Sequence, residues 1–240
     1  MINVSAMVPH CAALRDFWNG HQQNPLRIIR SDGHSEVIAV DRFFSKDLGE
    51  GDRLALDHCV GTVLDVGAGA GRHSLFLQYL GHEVHAIDVC PELALDVLPE
   101  RGIHSVEHAD IYSYSTKKSF DTILLLGHGL GLAGSLAGLE VLLDRCASLL
   151  KPKGTIIADS LDVLKTEEQV HIDYQKKLVK AGHYRGEIKL HLEYGDLVGV
   201  EFGWLSIDIE TLASVISGWD IELIWGDEAG NYFVQITRSE

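Results

Sequence analysis

Two periods of hydrophobic and polar positions alternate along the middle of the chain. Short apolar runs bounded by Gly, Pro, Asp or Lys predict β-strands at Val63–Val66, Glu83–Ile87, His104–Glu107, Phe120–Leu126 and Thr155–Ala158. Between these runs, helix-period segments occupy Arg72–Leu80, Pro91–Leu98 and Leu136–Leu150. Strands that alternate with helices predict an α/β fold, in which a mostly parallel sheet carries helices on both faces.

The flanking segments have strand-period patterns interrupted by turn residues. Leu26–Val40 contains Asp32-Gly33 between two β-rich arms, and Glu187–Leu205 alternates around Gly195-Asp196, so both segments predict β-hairpins. Because the second hairpin follows the fifth core strand, we expect the two hairpins to form a small cap over the carboxyl edge of the sheet. The last part of the chain predicts a helix and two strands that complete the core sheet, at Ile209–Ser217, Asp220–Trp225 and Tyr232–Thr237.

The charge balance excludes several classes of partner. With 35 acidic residues against 20 Lys and Arg, the formal net charge is -15, so the chain has no basic stripe for nucleic acid and no polybasic segment for a membrane surface. We find no leader pattern, no apolar stretch long enough to span a bilayer, and no spacing that indicates metal ligands. The cysteines are scattered, and we expect all of them to be reduced in a cytoplasmic protein: Cys11, Cys59, Cys90 and Cys146.

A glycine-rich turn follows the first core strand, in the sequence VLDVGAGAG of Val63–Gly71. Glycines at this place let a ligand approach backbone N–H groups closely, because no Cβ is in the way. The spacing does not fit the GxGxxG fingerprint of dinucleotide binders, which makes a nicotinamide dehydrogenase a poor alternative. The turn instead carries an acid two residues before the first glycine, which suits a cationic ligand.

The motif and those that follow it in order resemble the class I S-adenosylmethionine-dependent methyltransferases. The resemblance covers residues 61–160 and implies a Rossmann-like sheet of seven strands in the order 3-2-1-4-5-7-6, with strand 7 antiparallel. It implies that Asp88 in VHAID binds the ribose hydroxyls, and that Asp110 in HADIY binds the adenine amino group. The cofactor-binding residues it implies are Asp65, Gly67, Ala68, Gly69, Gly71, Asp88, Val89, Asp110, Ile111 and Gly127.

The resemblance also divides the chain by role. We expect residues 1–60 to form an N-terminal helix and hairpin on the substrate side, residues 61–160 the cofactor-binding core, residues 161–206 the inserted hairpin cap, and residues 207–240 the C-terminal helix and strands that complete the core sheet.

His128 in GHGLG is the candidate general base, because the family's loop after the fourth strand borders the transferring methyl group. A loop histidine that bonds backbone among glycines is the alternative. Tyr184, Arg185 and Trp204 are the candidate substrate residues. Arg185 suits a carboxylate of the substrate or the cofactor, although a surface ion pair with Glu187 is the simpler explanation.

The expected function is methyl transfer from S-adenosyl-L-methionine to an oxygen, nitrogen or sulfur atom of a small molecule. In-line displacement needs mainly alignment, and a base adds to it when the acceptor arrives protonated. Two alternatives stay open. They are a protein methyltransferase, whose acidic surface attracts a basic peptide, and a catalytically silent cofactor-binding partner subunit.

Overall fold

The computed structural model describes residues 4–239 and contains two β-sheets. The strands are β1 Leu26–Arg30, β2 Ser35–Ile38, β3 Thr62–Val66, β4 Glu83–Asp88, β5 Val106–His108, β6 Phe120–Leu125, β7 Leu150–Leu161, β8 Glu187–Tyr194, β9 Leu197–Val198, β10 Phe202–Leu205, β11 Trp219–Gly226 and β12 Asn231–Arg238. The α-helices are α1 Val4–Trp18, α2 Glu50–Asp57, α3 Arg72–Tyr79, α4 Leu98–Glu100, α5 Leu136–Ala147, α6 Gln169–Lys180 and α7 Ile209–Val215. None of the described helices is both long enough and apolar enough to cross a bilayer.

The core sheet has seven strands in the order β11-β12-β7-β6-β3-β4-β5. The pairs among β7, β6, β3, β4 and β5 are parallel, whereas β12 is antiparallel to both β7 and β11. This is the predicted order 3-2-1-4-5-7-6 with the seventh strand reversed, and the fold prediction is confirmed. The central strands are apolar on both sides because helices cover both faces, and Val63, Leu64, Ile123 and Leu124 are fully buried.

Several predicted elements of the core have another type or other bounds in the structure, and the third strand is Val106–His108 rather than His104–Glu107. Helix Pro91–Leu98 is a π-helical stretch over Leu93–Val97 that continues into α4. The fifth core strand is longer than predicted because β7 pairs with β6 on one side and with β12 on the other, which extends its ladder beyond the apolar run.

The two predicted hairpins join into one cap sheet in the order β10-β8-β1-β2, with β9 paired to β8. Strands β1 and β8 come from opposite halves of the chain and pair antiparallel, with Leu26 opposite Tyr194. Both side chains are buried in a cluster that also contains Ala70 of the glycine turn and Leu93 of the helical segment after β4. The cap therefore packs on the carboxyl edge of the core sheet.

A disulfide between Cys11 and Cys90 ties α1 to the segment that follows β4. The prediction that all four cysteines are reduced is therefore wrong for this pair, while Cys59 and Cys146 are free and buried. The sequence did not reveal the pair, because its members are 79 residues apart and meet only when the cap packs on the core.

Candidate active site

The glycine turn after β3 has two glycines that face open space and one that is packed. Gly67, Gly69 and Gly71 all have positive φ angles, at 69°, 56° and 79°, which favour glycine. A Cβ at Gly67 would meet no atom within 4 Å, and one at Gly69 would meet only the Gly67 carbonyl oxygen at 4.0 Å. A Cβ at Gly71 would lie 2.2 Å from Ile103 Cδ1. Gly67 and Gly69 therefore leave a cradle for a ligand, whereas Gly71 lets α3 pack closely.

The last residue of β4, Asp88, is buried against this turn. Its Oδ2 accepts the N–H of Gly69 at 2.8 Å, and its Oδ1 accepts the N–H of Cys90 at 2.8 Å. Burial raises the pKa of Asp88 to about 6, an effect that the two N–H donors partly oppose. The carboxylate thus organises the turn and keeps further lone pairs for a ligand's hydroxyl groups.

Asp65, one residue before the end of β3, is also buried. Its Oδ2 accepts the hydroxyl of Ser74 from α3 at 2.6 Å. Burial raises the pKa of Asp65, and the charge of His73 opposes this rise. The residue therefore anchors the first turn of α3 and also adds negative charge beneath the glycine turn.

The segment after β5 carries Asp110 and Ile111. Asp110 is half-buried, and its Oδ1 accepts the N–H of Tyr112 at 3.0 Å. Ile111 is buried in the main core. Val89, the residue after Asp88, is half-buried, and its carbonyl oxygen lies 3.1 Å from Nε2 of His108. The sheet order places these residues beside Asp88 at the carboxyl ends of neighbouring strands, where open α/β sheets bind ligands.

The loop after β6 is held by an acid that the sequence analysis missed. Asp159 near the end of β7 is buried, and its two oxygens accept the N–H groups of His128 and Gly129, each at 2.9 Å. Burial raises the pKa of Asp159, and the charge of His128 opposes the rise. The signal was available, because Asp159 directly follows the apolar run that predicts the fifth core strand.

His128 itself has a left-handed backbone with φ of 59° and is half-buried. Its Nε2 lies 3.3 Å from Oδ1 of Asn231, the first residue of β12. Gly127 before it is exposed with φ of 82°. The left-handed backbone and the two hydrogen bonds to Asp159 hold His128 at the sheet edge. Those hydrogen bonds use backbone N–H groups and do not involve the imidazole ring.

A second group missed by the sequence analysis joins α2 to α3. Asp52 lies 2.5 Å from the Arg72 guanidinium through Oδ2 and 3.2 Å from His73 Nε2 through Oδ1. Burial acts to raise the pKa of Asp52. The hydrogen bond from His73 and the charges of His73 and Arg72 outweigh burial and hold this pKa below its usual value. Nε of Arg72 is buried and has no hydrogen-bond partner among the described residues.

Two of the three predicted substrate residues make contacts that hold the fold. The Tyr184 hydroxyl donates to Asp208 Oδ2 at 2.6 Å and accepts the N–H of Asp208 at 3.1 Å. The Trp204 indole packs against Gly131 so closely that a Cβ there would collide with it. Arg185 is exposed, and Glu187 binds His183 and the N–H of Leu136 rather than Arg185. Of the three, only Arg185 has a side chain that makes no stabilising contact in the described part of the chain.

The sequence matches the family model described as a methyltransferase domain over residues 63–154. It is 30% identical over 142 residues to the ubiquinone biosynthesis O-methyltransferase of Xanthomonas campestris pv. campestris (strain B100). That match covers 53% of this chain and 56% of the relative, so the chain spans about half the length of the curated relatives it matches.

The structure resembles that of a SAM-dependent methyltransferase from Bacteroides fragilis, solved in complex with S-adenosyl-L-homocysteine. The TM-score is 0.86, the identity is 31%, and the match covers 100% of this chain and 98% of that chain. A S-adenosylmethionine-dependent methyltransferase from Clostridium acetobutylicum ATCC 824 shares the fold, with a TM-score of 0.59, 12% identity, and coverage of 83% of this chain and 96% of that chain.

Proposed function

Because the chain belongs to the S-adenosylmethionine-dependent class I methyltransferases, we propose that it transfers a methyl group to an oxygen, nitrogen or sulfur atom of a small molecule. S-adenosyl-L-methionine is the cofactor of this family. The observation that carries the proposal is the Asp88 carboxylate bonded to Gly69 beside a glycine turn with room for a ligand.

The residues at this edge fit the cofactor chemically. The open space at Gly67 and Gly69 admits a ligand against backbone, and the buried Asp88 offers acceptors for two ribose hydroxyls. Asp65 and Asp159 are two further buried carboxylates at the same edge, which favours a ligand with positive charge. We assign cofactor contacts to Asp65, Gly67, Ala68, Gly69, Gly71, Asp88, Val89, Asp110, Ile111 and Gly127, with Gly71 acting through the packing of α3.

When bound, S-adenosylmethionine supplies a methyl group that its sulfonium charge has already activated. The chain then needs chiefly to align the acceptor, and alignment lowers a barrier by about 7–11 kcal/mol in favourable cases. Residues 1–60 and 161–206 take the role of substrate cover, because the cap sheet packs on the edge that holds the glycine turn. A cover of this kind limits access by large substrates and excludes water.

We propose an alcohol or phenol hydroxyl as the first acceptor class to test, since the curated relatives are named as O-methyltransferases. His128 is the proposed general base, as its ring takes no part in the Asp159 bonds and, among the described residues, hydrogen-bonds only Oδ1 of Asn231 through Nε2. Arg185 is the proposed contact for an acidic group of the substrate. Tyr184 and Trp204 contribute by holding the cap in place.

We also propose a cytoplasmic location. The alternative is an oxidising compartment, because disulfides such as Cys11–Cys90 form mainly there. Fractionation of the producing cells decides between the cytoplasm and an oxidising compartment.

Cofactor use is tested by calorimetry with S-adenosylhomocysteine. We expect binding by the wild-type chain and a loss of about 1.5–3 kcal/mol in Asp88→Ala, the usual value of hydrogen bonds to a charged group. Asp96→Ala is the matched control, because Asp96 is an exposed acid eight positions further along the chain. Absence of binding by the wild-type chain overturns the proposal.

The acceptor class is tested by incubating the chain with labelled S-adenosylmethionine and a panel of phenols, amines and thiols. Label in low-mass products supports the small-molecule assignment, whereas label retained on protein supports the protein methyltransferase alternative. His128→Ala should slow turnover and leave cofactor affinity unchanged, and exposed His104, whose replacement by Ala should change neither, is its control.

A further inference from the structure

We propose that His34, Glu36 and His171 form a site for a divalent transition metal that fixes helix α6 to the β1–β2 hairpin of the cap. Each side chain offers one ligand atom, and these atoms all lie within 4.8 Å of one another. The sequence analysis assigned no metal ligand, because two of these residues lie in the N-terminal hairpin and the third begins a helix after the core.

The hairpin presents two ligands from one side of its edge strand. His34 ends the turn after β1, and Glu36 is the second residue of β2, so the two side chains point the same way. Nε2 of His34 lies 3.0 Å from Oε1 of Glu36. β2 is at the edge of the cap sheet, and no described strand pairs with its outer side.

Helix α6 supplies the third ligand from its first turn. The ring of His171 meets the ring of His34 edge to face, with centroids 4.9 Å apart and planes at 82°. About a quarter of each imidazole is exposed, at 26% for His34 and 24% for His171, and 59% of Glu36 is exposed. The site is therefore open to solvent on one side, and the Glu36 carboxylate can rotate to shorten its distance to an ion.

The charges that face the site favour a dication. Arg30 forms a two-pronged ion pair with Asp32 at 2.8 and 2.9 Å, which neutralises it. Glu36 and Glu168 then remain, and Glu168 Oε2 lies 3.4 Å from His171 Nε2. One guanidinium against three carboxylates leaves two negative charges beside the two imidazoles, and a divalent ion balances them.

Arg30 competes with the metal for one atom. Its Nη1 lies 2.8 Å from Nδ1 of His171, so that nitrogen accepts a hydrogen bond in the metal-free protein. An ion bound at Nδ1 replaces this bond, while Arg30 keeps its pair with Asp32 and its place over the Tyr174 ring, 4.2 Å from the ring centroid. Removing the guanidinium should therefore strengthen metal binding.

The donor set selects the class of metal. Two imidazoles and one carboxylate suit Zn²⁺, Ni²⁺ or Cu²⁺, whereas Mg²⁺ and Ca²⁺ prefer oxygen ligands alone. Zinc bonds to nitrogen and oxygen are about 2.0–2.2 Å long. Ligand atoms that start within 4.8 Å of one another need only small side-chain rotations to reach these lengths. Water completes the coordination on the exposed side.

The test titrates the chelator-treated chain with Zn²⁺ alone, against a chromophoric competitor. We expect one site per chain, bound at least tenfold more weakly in His34→Ala and in His171→Ala, and bound more tightly in Arg30→Met. His191→Ala is the matched control, because His191 and Glu193 form a pair with the same spacing on β8, at 3.2 Å, and belong to no three-ligand cluster in the described chain. Mg²⁺ should not compete.

Thermal unfolding gives a second readout. Zn²⁺ should raise the unfolding temperature of the wild-type chain and of His191→Ala, and should leave that of His171→Ala unchanged. Equal Zn²⁺ affinity in the wild type and His171→Ala, or an equal loss in His191→Ala, overturns the proposal. Both readouts measure metal binding without methyl transfer, so their failure leaves the proposed function intact.

Discussion

The Asp88 carboxylate accepts the N–H of Gly69 at 2.8 Å, which joins the end of β4 to the glycine turn that follows β3. The turn at Gly69 has a left-handed backbone and no side chain, so this bond helps to hold it in one conformation. Under the proposed function this carboxylate also contacts the cofactor, so cofactor binding should depend on its protonation state.

The affinity for S-adenosylhomocysteine should fall as pH decreases through about 6, the pKa of Asp88 in the free chain. Below that pH the carboxyl is protonated and accepts hydroxyl groups less well. The loss approaches about tenfold per pH unit if only the ionised form binds. Calorimetry between pH 5 and 8 measures the profile, and Asp88→Asn should flatten it. A slope that is the same in both proteins assigns the effect to another group.

The free energy of unfolding of the cofactor-free chain should show the opposite dependence on pH. Burial raises the folded pKa of Asp88 above the unfolded value of 3.8, so folding favours the protonated form. The stabilising contribution is complete below about pH 4 and is lost as pH rises through 6, by about 3 kcal/mol. Urea unfolding of the wild type and Asp88→Asn at several pH values should show their difference growing toward pH 7. A constant difference contradicts this prediction.

Replacing Asp159 by Asn should destabilise the chain by about 1–3 kcal/mol and slow turnover. The amide keeps one acceptor and turns its NH₂ toward one of the two N–H groups at His128 and Gly129, which leaves a buried donor without a partner. Urea unfolding and initial rates measure both effects. Asp162→Asn is the control, since Asp162 caps an exposed turn where Asn serves equally well. If Asp159→Asn keeps the stability and turnover rate of the wild type, the loop does not need the hydrogen bonds that Asp159 accepts.

Replacing Tyr184 by Phe should lower stability by about 1–3 kcal/mol and leave KM unchanged. The hydroxyl bonds both the carboxylate and the N–H of Asp208, and Asp208 is buried. Burial raises the pKa of Tyr184, so its hydroxyl keeps its proton as a donor. Tyr79→Phe is the control, because Tyr79 is 86% exposed. A higher KM with full stability would instead make Tyr184 a substrate contact.

Reduction of the Cys11–Cys90 disulfide should lower the free energy of unfolding by about 2–5 kcal/mol, because the bond closes a long loop. It should also weaken cofactor binding, since the Cys90 N–H donates to Asp88. Denatured chain should titrate two free thiols before reduction and four after it. Cys59→Ala should titrate one thiol before reduction and keep the bond. Four thiols in the untreated protein would show that all four cysteines are reduced, as the sequence predicts.

The sequence alone determined the core sheet and the positions of three acids at its carboxyl edge. Apolar runs of strand length between helices indicate parallel strands, and such strands end at one edge, so Asp65, Asp88 and Asp110 could be placed together before any coordinates. The hairpin turns were also visible, because Asp32-Gly33 and Gly195-Asp196 are local signals.

Only the tertiary structure decided which side chains are used by the fold itself. Tyr184 and Trp204 are candidate substrate residues in the sequence, but in the structure they contact Asp208 and Gly131, which lie far from them along the chain. Asp159, the Cys11–Cys90 bond and the His34–His171 contact likewise join distant segments. Local patterns specify elements because backbone conformation and burial repeat with a short period, whereas pairing between elements depends on how the cap and the core pack, which no local period encodes.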